Sequence, residues 1–389
     1  MKRHLLFGLA ALSLQLSPAA HAESLSDIFS NAQTVHAAIP RRPSIIFIQC
    51  DGLGYGDLSC YGQAKLQTPN LDRLAAGGIR FTNYDAGATG SAPACAALLL
   101  GRLLPDTNAD ARLADDVTVA QMLKNSGYHT GYIGEWNLGD EQSAGAPWRQ
   151  GFDEFTGYFN PADAGNFYAD YIYRFDHHVS RYSTNSATPG FNGREMLYDN
   201  SIGKQTHYIP DLYAKAAANF IRSSAPDLLS GYRPFFLMLN FKIPNQKFEV
   251  PTDAPYSDEA WPQSEKNRAA LIARIDGYIG QLQDQLRKSE MTNNFVIFFS
   301  SVGLPKKGDA TDPQFFHSVL SADDRRAPMI VSAPEIIPAE QVSGYKWSPA
   351  DFLPTAAEIA HLQAPTNLPG TSVLPVLMGR APAARPGAN

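Results

Sequence analysis

A doubly wound α/β fold, with a mostly parallel sheet and helices on both faces, is the expectation for this chain, and three observations carry it. Short β-rich apolar runs alternate with amphipathic stretches of helical period along most of the sequence. The strongest runs are apolar without interruption, as strands covered on both faces of a parallel sheet must be. They also end in glycine-rich turns with polar residues, where open α/β sheets place their sites.

Taken in order, Ser44 to Cys50 (SIIFIQC) is the first such strand, and it runs into Asp51-Gly52-Leu53-Gly54-Tyr55-Gly56-Asp57. Glycines at this density let the backbone turn sharply and approach a ligand. Thr68 to Leu74 opens a helix with a cap and a first-turn proline, closed at Gly77-Gly78. Ile79 to Tyr84 reads as a strand. Gly87, Gly90 and Pro93 break the chain before the small and apolar run Ala94 to Leu100, which reads as a loop entering a buried helix. Asp116 to Asn125 is an amphipathic helix and Tyr128 to Ile133 a strand that exits through Gly134-Glu135-Trp136-Asn137-Leu138-Gly139. Leu212 to Arg222 is helical, Phe235 to Phe241 a buried strand, and Glu265 to Lys288 the longest amphipathic helix. Phe295 to Phe299 and Met329 to Ser332 are further core strands, and Ser348 to Leu362 is a closing helix.

Composition limits the function classes. Met1-Lys2-Arg3, the apolar stretch Leu5 to Leu14 and Ala20-His21-Ala22 match the three regions of a secretory signal, with cleavage expected after Ala22 and a periplasmic or secreted product. The organisation expected is a signal peptide at 1–22, a surface leader at 23–42, one domain at 43–380 and a flexible tail at 381–389. No later apolar run is long enough for a membrane span. Loss of Lys2 and Arg3 takes the formal charge from −6 to −8, which, without a basic block, argues against nucleic acid and anionic membrane as partners. Three cysteines, Cys50, Cys60 and Cys95, cannot staple a chain of 389 residues, so the fold rests on its core. The unpaired thiol, or all three, is expected to be buried.

Ser91 sits at the mouth of the buried helix, where unpaired amides and the positive dipole end favour developing negative charge. It reads either as a nucleophile or as a helix cap. Asp51, at the carboxyl end of the first strand, reads either as a site carboxylate or as a turn-stabilising residue. Nine of the 24 residues from Phe152 to Phe175 are Phe or Tyr, in a segment broken by Gly157, Pro161 and Gly165. This reads as a loop that packs as a lid or faces a ligand. His177-His178 reads as a solvated loop, since adjacent residues of a strand point to opposite faces.

The order and spacing of these pieces resemble the sulfatase family, the formylglycine-dependent branch of the alkaline phosphatase superfamily. The resemblance rests on SIIFIQCDGLGYGDLSCYGQ, TPNLDRLAAGGIRFTNYDA, AALLLGR, AQMLKNSGYHTGYIGEWNLG, GFDEFTGY, PFFLMLNF, RIDGYIGQLQDQL, FVIFFSSVG, RAPMIV and DFLPTAAEIA, in family order from about residue 43 to 380. It implies a hydrolysis of sulfuric esters by a formylglycine hydrate, aided by calcium and cationic side chains. It also implies a small C-terminal subdomain that would begin where this chain stops.

At the family's site positions the sequence departs. The Asp-Asp pair of the first strand end is Asp51 and Gly52. The C-x-P-x-R nucleophile motif is Ser91-Ala92-Pro93-Ala94-Cys95, which keeps a convertible residue, as some bacterial members have, and loses the arginine. The lysine and histidine of G-K-W-H-L-G are Glu135 and Asn137, and a further histidine aligns with Asn245. The Asp-Asn pair of S-D-N-G is Ser301 and Val302, a further lysine falls near His317, and Glu-Gly-Gly is Ala322-Asp323-Asp324.

Calcium takes six to eight oxygen ligands, usually several of them carboxylates. Here Asp51 is the one retained acid among four expected ligands, so divalent affinity should collapse and no cofactor is expected. Asn137 and Asn245 cannot protonate a leaving group, Glu135 sets negative charge where an anion must bind, and Cys95 cannot supply a guanidinium. The expectation is a catalytically degenerate family member that binds a sulfated or polar small molecule, a glycan or a protein. The alternative is an active ester hydrolase using formylglycine at Ser91 with calcium, or direct attack by Ser91 or Thr89 on a phosphoester. Cys50 and Cys95 flank former site positions, which opens a third possibility of a disulfide or a soft-metal site between them, against buried and reduced thiols.

Overall fold

The computed structural model describes residues 42–382 except 89, 105–112, 114–115, 177–190, 227–231, 245–246, 290, 292–293, 303–314 and 317–324. The signal, the leader, the tail after 382 and His177-His178 lie outside the described residues.

Ten strands form one sheet: β1 (Ser44–Asp51), β2 (Gly78–Asp85), β3 (His129–Glu135), β4 (Glu154–Tyr158), β5 (Tyr171–Asp176), β6 (Phe191–Met196), β7 (Phe235–Lys242), β8 (Phe295–Val302), β9 (Arg326–Ser332) and β10 (Gln341–Ser343), in the order β10-β2-β9-β8-β1-β7-β3-β4-β5-β6. The centre, β8-β1-β7-β3-β4, is parallel. Both wings turn antiparallel, at β8-β9-β2 and at β4-β5-β6. The expected last central strand, Met329 to Ser332, is thus part of an antiparallel member.

Helices cover both faces, as a doubly wound sheet requires. On one side α1 (Pro69–Ala76), α4 (Ile209–Ser224) and α5 (Gln263–Lys288) pack over Ile46, Ile48 and Cys50 of β1 and Leu237, Leu239 and Phe241 of β7. On the other, α2 (Ser91–Leu100), α3 (Val119–Asn125) and α6 (Phe352–Ile359) pack over Ile45 and Phe47 of β1 and Phe236 and Met238 of β7. The period of two along each central strand therefore divides its residues between two cores, which is why these strands read as unbroken apolar runs. Among the described residues no helix is long and apolar enough to cross a membrane.

Three local expectations need correction. The aromatic segment 152–175 is not mainly a loop: it supplies β4 and the start of β5, and Phe152, Phe155, Tyr158, Phe159, Phe167, Tyr173 and Phe175 are buried in the two cores. Thr68 does not cap α1 with its side chain; the carboxylate of Asp276 on α5 accepts from the backbone N–H groups of Asn70, at 3.1 and 3.2 Å, and of Leu71, at 2.8 Å. The closing helix is shorter than its apolar pattern, with a 3-10 turn at Pro349–Asp351 before α6.

Candidate functional site

The parallel strands bring their last residues to one rim of the sheet. In register, Asp51 of β1 lies between Lys242 of β7 and Val302 of β8. Beyond that register the backbone continues to bond from tip to tip: Ile243 N–H donates to Asp51 O at 2.7 Å and Gly52 N–H to Val302 O at 2.8 Å. Gly52 has φ +85°, and a Cβ there would lie 2.4 Å from Ile243 O. The loss of the second acid is therefore built into the backbone path, since a side chain meets both a left-handed conformation and a neighbouring carbonyl.

Asp51 and Glu135 face the same cation. The Lys242 ammonium is 2.6 Å from Glu135 Oε2 and 3.9 Å from Asp51 Oδ2. All three are buried or nearly so, with side-chain exposures of 3% for Glu135, 15% for Asp51 and 16% for Lys242. A carboxylate this deep requires a charge partner or several hydrogen bonds. Glu135 has the charge partner and one further bond, since Asn137 Nδ2 donates to its Oε1; its main-chain carbonyl separately accepts from Tyr132 Oη at 2.5 Å and Asn240 Nδ2 at 2.9 Å. Asn137 reaches back in this way from φ 56°, a conformation that asparagine tolerates better than most residues. The negative charge read at Glu135 thus faces a countercharge that the sequence did not point out, the ammonium of Lys242.

The network continues into α2. Tyr132 Oη lies 3.9 Å from Cys95 Sγ. Cys95 is buried, and burial, helped by the charge of Glu135, pushes its thiol up to about 12 against the hydrogen bond from Tyr132. Burial likewise holds the Tyr132 hydroxyl well above its usual range, so it stays a neutral donor. The place of the family's arginine is therefore a packed, uncharged thiol inside a core.

Ser91 is one helical turn before Cys95, on the same side of α2. It is the first residue of the helix, half-buried, and Gly90 is the N-cap with no side-chain bond to the first turn. The capping reading is thereby set aside; the position at a helix start with open amides remains. Ser301 is buried, without a side-chain partner among the described residues, and Val302 is buried beside Asp51. Asn245, His317, Thr89 and Ala322-Asp323-Asp324 lie outside the described residues.

Cys50 and Cys95 do not meet. Cys50 belongs to the core under α4 and α5, Cys95 to the core under α2 and α3, on opposite faces of the sheet, and all three cysteines are free. Neither a disulfide nor a shared soft metal is open to that pair. Cys60 is half-buried, which departs from full burial of all three.

Sequence reasoning missed Lys242, which stands one residue past the apolar run that defined its strand. The signal was present: a glutamate ending the apolar strand Tyr128 to Ile133 needs a cation, and the tip of a neighbouring strand is the place to search for one. As a calcium site these residues do not fit. Among those described, the acids at the rim are Asp51 and Glu135, both face an ammonium, and Gly52 and Val302 offer no side-chain oxygen.

The central parallel sheet, wrapped on both faces and carrying polar residues at one rim, defines a doubly wound α/β protein. The family model "Sulfatase" matches residues 43–362, and the chain belongs to the sulfatase family. It is similar to N-acetylgalactosamine-6-sulfatase of Sus scrofa, 28% identical over 372 residues, which cover 87% of this chain and 66% of that protein. It is similar to arylsulfatase A of Homo sapiens, 36% identical over 219 residues, 51% of this chain and 41% of that protein. Among solved structures, Ps i-CgsB in complex with k-i-k-neocarrahexaose superposes with a TM-score of 0.70 at 25% identity, covering 87% of this chain and 77% of that one. This chain spans just under two thirds of the length of the first of these relatives.

Proposed function

We propose that this sulfatase-family protein is exported and binds a sulfated or otherwise polar glycan without hydrolysing sulfate esters by the chemistry of its relatives. The observation that carries this reading is the Lys242 ammonium, 2.6 Å from Glu135 and 3.9 Å from Asp51: among the described residues the acids of this rim share one cation and offer calcium no larger set of carboxylates. A cation engaged by two carboxylates offers little to a sulfate oxygen, and the side chains at 95, 135 and 137 supply neither guanidinium nor general acid. Each missing charge-stabilising donor typically raises a barrier by about 3 to 4 kcal/mol. The glycan is suggested by the names of the relatives, an N-acetylgalactosamine-6-sulfatase and a protein in complex with k-i-k-neocarrahexaose. Export rests on Lys2-Arg3, the Leu5 to Leu14 core and Ala20-His21-Ala22; N-terminal sequencing of the mature protein should begin at Glu23.

The test is turnover of aryl sulfate and aryl phosphate together with calcium calorimetry on protein from the native host. No turnover and no calcium heat are expected, with retention on sulfated glycans. Clear turnover abolished by Ser91→Ala would overturn the reading.

One observation favours a second reading, an active sulfuric ester hydrolase. Ser91 is the first residue of its helix after a glycine N-cap, where a side-chain oxygen meets the open amides and the positive dipole end. Mass spectrometry of its peptide separates the two, since conversion to formylglycine removes two hydrogens.

A further inference from the structure

Helix α4 ends over the beginning of β3. Near that end Phe220 lies so close to the sheet that a Cβ on Gly131 would be 2.5 Å from its ring. Beside it the sheet is polar: Glu154 pairs across the strands with Asp176, and Thr156 with Arg174, so no apolar surface invites a second helix. A cavity of about 560 Å³ lies in the angle between helix and strands, a size that ligand pockets commonly have. Asn219, Arg222 and Ser223 of α4 and Arg233, from the segment before β7, complete its wall. It opens at the end of the sheet remote from the strand tips: His129 and Glu135, the two ends of β3, are about 20 Å apart at roughly 3.3 Å per residue.

The charges of this cavity are unequally matched. Glu154 Oε1 is 3.0 Å from His129 Nε2, and His129 Nδ1 is 2.9 Å from Ser224 Oγ, with the imidazole stacked on Phe220 at 4.6 Å. Arg174 is ion-paired with Glu195, and Asp176 is engaged as well. Arg222 and Arg233 are exposed, and neither has a carboxylate partner among the described residues. Neutral acceptors hold Arg233 in place, its Nε donating to Gly127 O at 3.0 Å and its Nη2 to Tyr128 O at 3.2 Å. Arg222 stands in the last turn of α4, where the negative dipole end favours a cation. We infer that this cavity is a binding site for an anionic sugar, whose sulfate or carboxylate is taken by Arg222 and Arg233. Guanidinium forks match the oxygens of either group in pairs. Asn219, Ser223 and Thr156 add amide and hydroxyl partners of the kind that ring hydroxyls take. The sugar rests on the glycan reading above, and the cavity adds where it binds, away from the exchanged rim.

Calorimetry on the full-length protein compares three probes: N-acetylgalactosamine 6-sulfate, galacturonate and neutral N-acetylgalactosamine. Wild type should bind an anionic sugar and not the neutral one. Tighter binding of the sulfated probe assigns the site to sulfate, and tighter binding of galacturonate assigns it to carboxylate. Arg222→Ala and Arg233→Ala should each weaken binding about tenfold or more, as loss of a charged hydrogen-bond donor does. The double variant should not bind. Lys215→Ala removes the same charge from an exposed position of α4 outside the cavity and should bind as wild type does.

Unchanged affinity in both arginine variants would overturn the cavity site and leave the proposed function standing. An equal loss in Lys215→Ala, or equal binding of the neutral sugar, would overturn the site too. Failure of wild type to bind either anionic probe would do the same, and failure also to be retained on sulfated glycans would overturn the proposed function with it. If a variant is recovered unfolded, arginine modification of the wild type by phenylglyoxal gives the same reading. Protection of Arg222 and Arg233 by the anionic probe supports the site, and undiminished labelling overturns it.

Discussion

Asp57 and Arg268, 211 positions apart, meet through two parallel hydrogen bonds of 2.8 and 2.6 Å, and both side chains are almost fully buried. Asp57 Oδ2 also accepts from Gly54 N–H at 2.5 Å, so the pair fixes the glycine-rich turn after β1 to helix α5. Removing one member leaves the other charge buried and alone. Asp57→Ala should therefore lower folding stability by about 3 to 5 kcal/mol, read as a reduced urea midpoint. An unchanged midpoint would show that the turn holds without it.

Gly52→Asp recreates the acidic pair of the family at the end of β1, yet the backbone is not shaped for it. At φ +85° and with Ile243 O 2.4 Å from the new Cβ, the strand tips must move apart. The variant should melt lower than wild type and gain neither calcium binding nor aryl sulfate turnover. Gain of either would mean that the rim opens easily.

The thiols should be slow to react. Burial raises Cys95 and Cys60 to about 12, so at pH 8 both are protonated and alkylation of folded protein by iodoacetamide should be far slower than in urea. The sign for stability follows from the same shift. The unfolded chain loses these protons near the ordinary value of 9.0 while the folded chain keeps them. Stability from thiol burial is thus complete below pH 9 and falls as pH rises toward 12. A Cys95→Ala, Cys60→Ala variant should lose less stability than wild type across that window.

Asp276→Ala takes from α1 the acceptor of its first N–H groups, including the Leu71 bond at 2.8 Å and the Asn70 side-chain bond at 2.7 Å. The expected cost is about 3 kcal/mol, because the orphaned donors are only partly reached by water. Amide exchange at Asn70 and Leu71 should rise in step.

Much of the frame was legible because burial on both faces writes itself into sequence as unbroken apolar runs. Ser44 to Cys50 and Phe235 to Phe241 were each one residue short of the strand observed. What escaped was whatever depends on a partner far along the chain. The aromatic run at 152–175 looked like a loop because Gly157 and Pro161 punctuate it, whereas its pairing with β3 makes it sheet. Thr68 looked like a cap until Asp276, 208 positions later, took the role. The cation facing Glu135 escaped because nothing in the linear sequence says that β3 lies beside β7. The exchanged site positions could be read one by one, but their mutual compensation could not.

The tips of β1, β7 and β8 are joined by main-chain bonds that ignore side-chain identity. Where the backbone leaves room, side chains at this edge can change without breaking those bonds, so kinship in shape and loss of chemistry are free to diverge. A chain of this lineage is better judged by the countercharge beside its first strand than by how closely its outline follows that of working enzymes.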